Sequence, residues 1–112
     1  MAPEYLIPQK RVVLTFICNG ITRRESALIL LCSLHCIDTH IEDALAETNY
    51  RTTDEMIAKC ILDGLVRTLS TKEKKDYLQI AEYNQKHIIK RANGEPIPWQ
   101  QFYDELYSRE GE

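Results

Sequence analysis

Ile41-Glu42-Asp43-Ala44-Leu45-Ala46-Glu47-Thr48, then Asn49-Tyr50-Arg51, then Thr52-Thr53-Asp54-Glu55-Met56-Ile57-Ala58-Lys59-Cys60-Ile61-Leu62 runs through the middle of the chain. Ile41, Ala44 and Leu45 fall on one helical stripe, and Met56, Ile57, Cys60 and Ile61 fall on another. Between them lie three residues with no periodicity. Two short helices joined by a tight turn follow from that pattern.

Helix-start signals extend the reading outward. Thr22-x-x-Glu25, Thr39-x-x-Glu42, Thr52-x-x-Glu55 and Ser70-x-x-Glu73 each match the capping box, in which a hydroxyl and a carboxylate satisfy the first free amides of a helix. Pro98 marks a fifth start. Stops fall at Asn19-Gly20, near Gly64, and at Asn93-Gly94 before Pro96. The spacing predicts helices over about 22–36, 40–48, 53–64, 71–92 and 98–108. The run from Ala27 to Cys32 is apolar nearly all round, which makes the helix over 22–36 the expected central one. Residues 10–18 are rich in strand formers, yet Pro8 followed by Val12, Val13, Phe16 and Ile17 also fits a helix. Helix is favoured, because a lone strand would have no partner. The expected fold is therefore all-α, about five helices, with one short N-terminal strand as the alternative. It forms a single domain over 1–112, with a core over 21–92 and an aromatic C-terminal helix within 93–112.

Composition narrows the function. The chain has 112 residues and a formal charge of −3, which excludes a uniformly basic nucleic-acid binder. Residues 1–40 carry four basic and three acidic side chains, and residues 41–66 carry two and six. Residues 67–91 carry seven and three, and residues 92–112 carry one and five. The charge is thus patterned as +1, −4, +4 and −4. No apolar run reaches the ~20 residues of a membrane span, and Glu4 precedes any apolar stretch at the N-terminus. A cytoplasmic chain with no membrane partner is expected. Cys18, Cys32, Cys36 and Cys60 sit among apolar neighbours and read as buried, reduced thiols.

The stretch 41–66 has the layout of a helix-turn-helix. Asp63-Gly64-Leu65-Val66-Arg67-Thr68-Leu69-Ser70-Thr71-Lys72-Glu73 resembles the end of the recognition helix and the start of the next helix in MarR-like winged-helix regulators. Ile21-Thr22-Arg23-Arg24-Glu25 is similar to the opening of the first helix in several helix-turn-helix families. The likeness covers about residues 21–85, and departs from the family where only Arg67 and Thr68 are left to form a wing. It implies a homodimeric, DNA-binding regulator of transcription. Arg51, Thr52, Thr53 and Lys59 would approach the groove, and Arg67, Lys72, Lys74 and Lys75 would contact phosphates. Asp54 and Glu55 open the reading helix, where carboxylates complement the helix dipole. Lys86, Lys90 and Arg91 extend the basic stripe, and Lys10, Arg11, Arg23 and Arg24 join it only if the fold brings the helices together.

Other chemistry is poorly served. Cys32-x-x-His35-Cys36-x-x-x-His40 has metal-binding residue types, but ligands at i, i+4 and i+8 of one helix spread over ~12 Å. No phosphate-cradling glycine loop and no activated nucleophile are visible, so neither an enzyme nor a cofactor is expected. Trp99, Phe102, Tyr103 and Leu106 form one helical stripe, which packs inward or builds a dimer or partner interface. A protein-binding module, an adaptor or inhibitor of a larger nucleoprotein complex, is the alternative function. It would use the acidic 41–66 surface or the aromatic helix.

Overall fold

The computed structural model describes residues 7–87 and 98–107. Six helices follow one another there, with no strand among the described residues: α1 (Pro8–Cys18), α2 (Arg23–Leu30), α3 (Leu34–Glu47), α4 (Thr53–Lys59), α5 (Thr71–His87) and α6 (Trp99–Tyr107). The fold is all-α. Residues 10–18 are helix, started by Pro8 at the first position, where its missing N–H costs nothing.

The central element is α1, in place of the expected helix over 22–36. Val12, Val13, Leu14, Thr15 and Phe16 are fully buried, and the helix packs against α2, α3, α4 and α6. Strand formers in a helix are tolerated here because tertiary burial outweighs intrinsic propensities of well under 1 kcal/mol per residue. Phe16 meets Tyr77 of α5 with ring centroids 4.9 Å apart and Phe102 of α6 at 6.2 Å, while Tyr77 and Phe102 are 5.5 Å apart. Edge-on and tilted rings at such separations are favourable beyond their buried area. α3 contributes Ile37, Ile41 and Ala44 from one face, and α2 lies along α5, with Asn84 Nδ2 donating to the Leu28 carbonyl at 2.8 Å.

Helix ends explain most of the path. Thr22 and Glu25 form a complete capping box, as do Ser70 and Glu73. Thr52 accepts from the Glu55 amide at 3.1 Å. Thr39 does not start a helix. It lies inside α3, because Ser33 already caps that helix by accepting from the Cys36 amide. The expected helix over 22–36 is accordingly broken. Leu31 adopts the left-handed conformation at φ 53°, its amide bonds to Leu28 O, and Cys32 N bonds to Ala27 O. The same pair of turn bonds closes α1 around Gly20 (φ 87°) and the turn after α4 around Gly64 (φ 78°). All three are Schellman closures, and leucine occupies a place that usually needs glycine.

Asn19, just past α1, fastens the chain across the core. Its Nδ2 donates to Thr15 O at 2.7 Å and to Arg67 O at 3.0 Å, and its Oδ1 accepts from the Leu69 amide at 2.9 Å. Asn19→Ala leaves the Leu69 amide and the Arg67 carbonyl without that partner. It is expected to lower the unfolding free energy by about 1–3 kcal/mol, read from the urea midpoint; an unchanged midpoint would contradict the assignment.

Candidate nucleic-acid interface

The helix pair read from the sequence is present, with different bounds. Its first helix is the second half of α3, the turn runs over 48–52, and α4 is the second helix. Met56 is buried and anchors α4, and Thr48 Oγ1 lies 3.9 Å from its sulfur. Tyr50 donates to Asp63 Oδ2 at 2.5 Å, drawing the turn onto the segment that leaves α4. Arg51 and Thr52 of the turn and Asp54, Ala58 and Lys59 of α4 are all exposed.

Three of the six carboxylates of residues 41–66 have partners inside the chain. Glu47 pairs with Lys10, Asp63 accepts from Tyr50, and Glu55 accepts from the Arg51 amide at 3.2 Å while lying 3.7 Å from Lys59 Nζ. Asp54 is the exposed carboxylate left on α4 itself, and Glu42 and Asp43 are exposed on α3.

The basic residues divide in the same way. Arg67 grips both oxygens of Glu73 at 2.8 and 2.9 Å. Those contacts, with hydrogen bonds from Ser70, hold the Glu73 carboxyl below the usual carboxylate range; the Ser70 backbone is the largest cause. Arg67 is therefore committed to the start of α5. Lys59 is exposed but has Glu55 beside it, and the Thr52 hydroxyl is occupied by its cap; Thr53 is half-buried. Lys72 and Lys75 are exposed on α5. Lys74 is half-buried beside Gly20, and with Thr71, Lys75, Leu78, Gln79 and Glu82 it lines an open groove of about 430 Å³. Lys86 pairs with Glu82 at 2.9 Å, while Lys90 and Arg91 lie outside the described residues. The second basic group does not join the stripe as a whole. Lys10 and Arg11 are 8% and 2% exposed, Arg23 bonds Asp38 at 2.7 Å, and Arg24 is exposed.

No strand occurs between α4 and α5, so the winged feature of the resembled family is absent from residues 60–70. The aromatic stripe of α6 turns inward. Phe102 and Leu106 are buried on the chain's own core, and Trp99 and Tyr103 are half-buried. The thiols are more open than their neighbours in sequence imply: Cys60 is buried, but Cys18, Cys32 and Cys36 are partly exposed. The break at Leu31 puts Cys32 and Cys36 on either side of a helix start, and among the described residues no three His, Cys, Asp or Glu side chains converge as metal ligands. No described helix is long and apolar enough to cross a membrane.

His40 carries a signal the sequence did not reveal. Neither ring nitrogen has a hydrogen-bond partner, and both are enclosed. Burial pushes its pKa down from 6.5, Asp43 opposes the shift, and the Lys10 ammonium adds to it. The unfolded chain therefore binds the proton more readily than the folded one. Stability is full above about pH 6.5 and falls as pH drops through the interval below it. A urea midpoint that declines between roughly pH 7 and pH 5, and declines less in His40→Gln, is the expected outcome; identical profiles would contradict it.

Compared with protein-family models, with curated proteins and with solved structures, the chain matches none.

Proposed function

We propose that the protein is a cytoplasmic, helix-turn-helix DNA-binding regulator of transcription that reads DNA with α4. The observation that carries this reading is the outer face of α4. It is anchored from behind by Met56 and presents Ala58 and Lys59 outward beside Arg51 and Thr52 of the turn, with Asp54 as its exposed acid. Small and polar side chains of that kind allow a helix to approach base edges. Pairing of Glu47 with Lys10, from outside the segment, offsets one of its negative charges, and Lys59 stands beside Glu55. Lys72 and Lys75 supply the cations for backbone phosphates, whereas Arg67 serves the fold. A homodimer would have Trp99 and Tyr103 to use, since Phe102 and Leu106 are already covered.

One observation favours the protein-binding alternative. Leu62, in the turn after α4, is 83% exposed, an apolar side chain of the kind that seats in a partner's pocket. Copurification of a stoichiometric partner that survives nuclease treatment, without DNA affinity, would favour that alternative.

The DNA reading is tested by mobility shift on mixed genomic fragments at two salt concentrations. Binding should weaken steeply with salt, and Arg51→Ala, Lys72→Ala and Lys75→Ala should each reduce the slope of log affinity against log salt by about 1. No binding at low salt would reject it.

A further inference from the structure

An exposed apolar side chain and an apolar groove lie on oppositely charged segments of this chain. Leu62, 83% exposed, is the most exposed large apolar side chain among the described residues. Its turn is fixed by backbone bonds: Asp63 N to Lys59 O at 2.9 Å, Gly64 N to Ile61 O at 3.1 Å and Leu65 N to Cys60 O at 3.0 Å. A side chain carried on a turn that is already ordered costs less conformational freedom to cover. Asp63 and Gly64 beside it are exposed. Asp63 accepts from the Tyr50 hydroxyl, a neutral donor, so its carboxylate keeps its charge.

The groove lies on α5. Thr71, Lys74, Lys75, Leu78, Gln79 and Glu82 recur along one face of that helix, away from the face that buries Tyr77, Ala81 and Asn84. They line about 430 Å³, within the size range of pockets that hold a ligand. Leu78 is half-buried and supplies the apolar surface together with the lysine stems. Glu82 is paired with Lys86 at 2.9 Å, whereas Lys74 and Lys75 are in no ion pair among the described residues, so the groove is cationic.

We infer that the occupant of this groove is a second copy of this chain. The Leu62 turn of each copy seats in the α5 groove of the other, with Leu62 against Leu78 and Asp63 facing Lys75. Charge complementarity within the one sequence argues for it: residues 41–66, which carry the turn, sum to −4, and residues 67–91, which carry the groove, sum to +4. Leu62 and Thr71 are nine residues apart, a reach of at most about 30 Å. Asn19 draws that connection in by binding the Arg67 carbonyl and the Leu69 amide. Turn and groove thus occupy neighbouring surface, and a two-fold axis between them makes the same contact twice and closes the assembly as a dimer. The inference goes beyond DNA reading by α4 and does not rest on it, although both use Lys75.

Sedimentation equilibrium of the full chain, without DNA, tests the dimer. A monomer–dimer equilibrium that salt weakens is expected. Leu62→Ser should weaken dimerisation by about tenfold or more and leave the circular dichroism unchanged, because Leu62 is exposed in the monomer. Lys75→Glu and Asp63→Lys should each weaken it, and the chain carrying both should regain it, since opposite charges again face each other. That double variant regains no phosphate contact at residue 75, so a mobility shift on it separates this inference from the DNA reading. A monomer at millimolar concentration, which would leave the groove to a foreign acidic segment, would overturn the inference. So would growth beyond the dimer, a dimer that Leu62→Ser leaves intact, or a double variant no tighter than its single parents.

Discussion

A guanidinium that cannot lose its proton sits at the centre of this molecule. Arg11 is 2% exposed, and its charge has to be met by protein groups in place of water. Its Nε donates to the Leu65 carbonyl at 2.9 Å, and its guanidinium carbon stands 3.5 Å from the centre of the Tyr107 ring. The Tyr107 hydroxyl in turn lies 2.6 Å from Thr15 Oγ1 and accepts from the Arg67 amide at 3.1 Å. One buried cation thereby fixes α6 and the segment leaving α4 to the same helix. A cation–π contact of this kind is worth on the order of 2 kcal/mol when desolvated, and it adds to the hydrogen bonds that Arg11 and Tyr107 make to the rest of the core.

From that node the rest of the arrangement follows in order. Arg67, positioned by the Tyr107 hydroxyl, reaches Glu73 and completes the start of α5, while Asn19 binds the neighbouring carbonyl and amide. α5 then lies along α2 and offers Lys72 and Lys75 to solvent. On the other side, Lys10 draws Glu47 of α3 toward α1, and Met56 holds α4 to the core. Charged side chains near the axis of α1 are structural, and those left at the surface of α4 and α5 are the ones available to a ligand.

Much of this was legible in the residues. Thr22, Thr52 and Ser70 cap helices where their spacing says they should, and Gly20 and Gly64 close them, because capping depends on a few adjacent atoms. The break at Leu31 was not legible. No glycine or proline marks it, and the apolar run across it reads as one continuous helix. Thr39-x-x-Glu42 matched a capping box by composition, but Ser33 had already opened that helix. The site suffered from the opposite problem. A segment charge of −4 counts carboxylates without saying which ones are paired, and Glu47 is paired with Lys10 from outside the segment. Likewise Arg67, basic and close to α4, reads as a phosphate contact until Glu73 is seen in its grip. Pairing partners up to 37 residues apart, as for Lys10 and Glu47, leave no periodic trace.

α6 belongs to the core through Tyr107 and Arg11 and is not an appended arm. Native-state hydrogen exchange measures this directly. The amides of residues 103–107 should exchange only through the same global opening that exposes residues 13–17 of α1, with equal free energies and equal denaturant dependence. Exchange of 103–107 by a separate, lower-energy opening while 13–17 stay protected would contradict it.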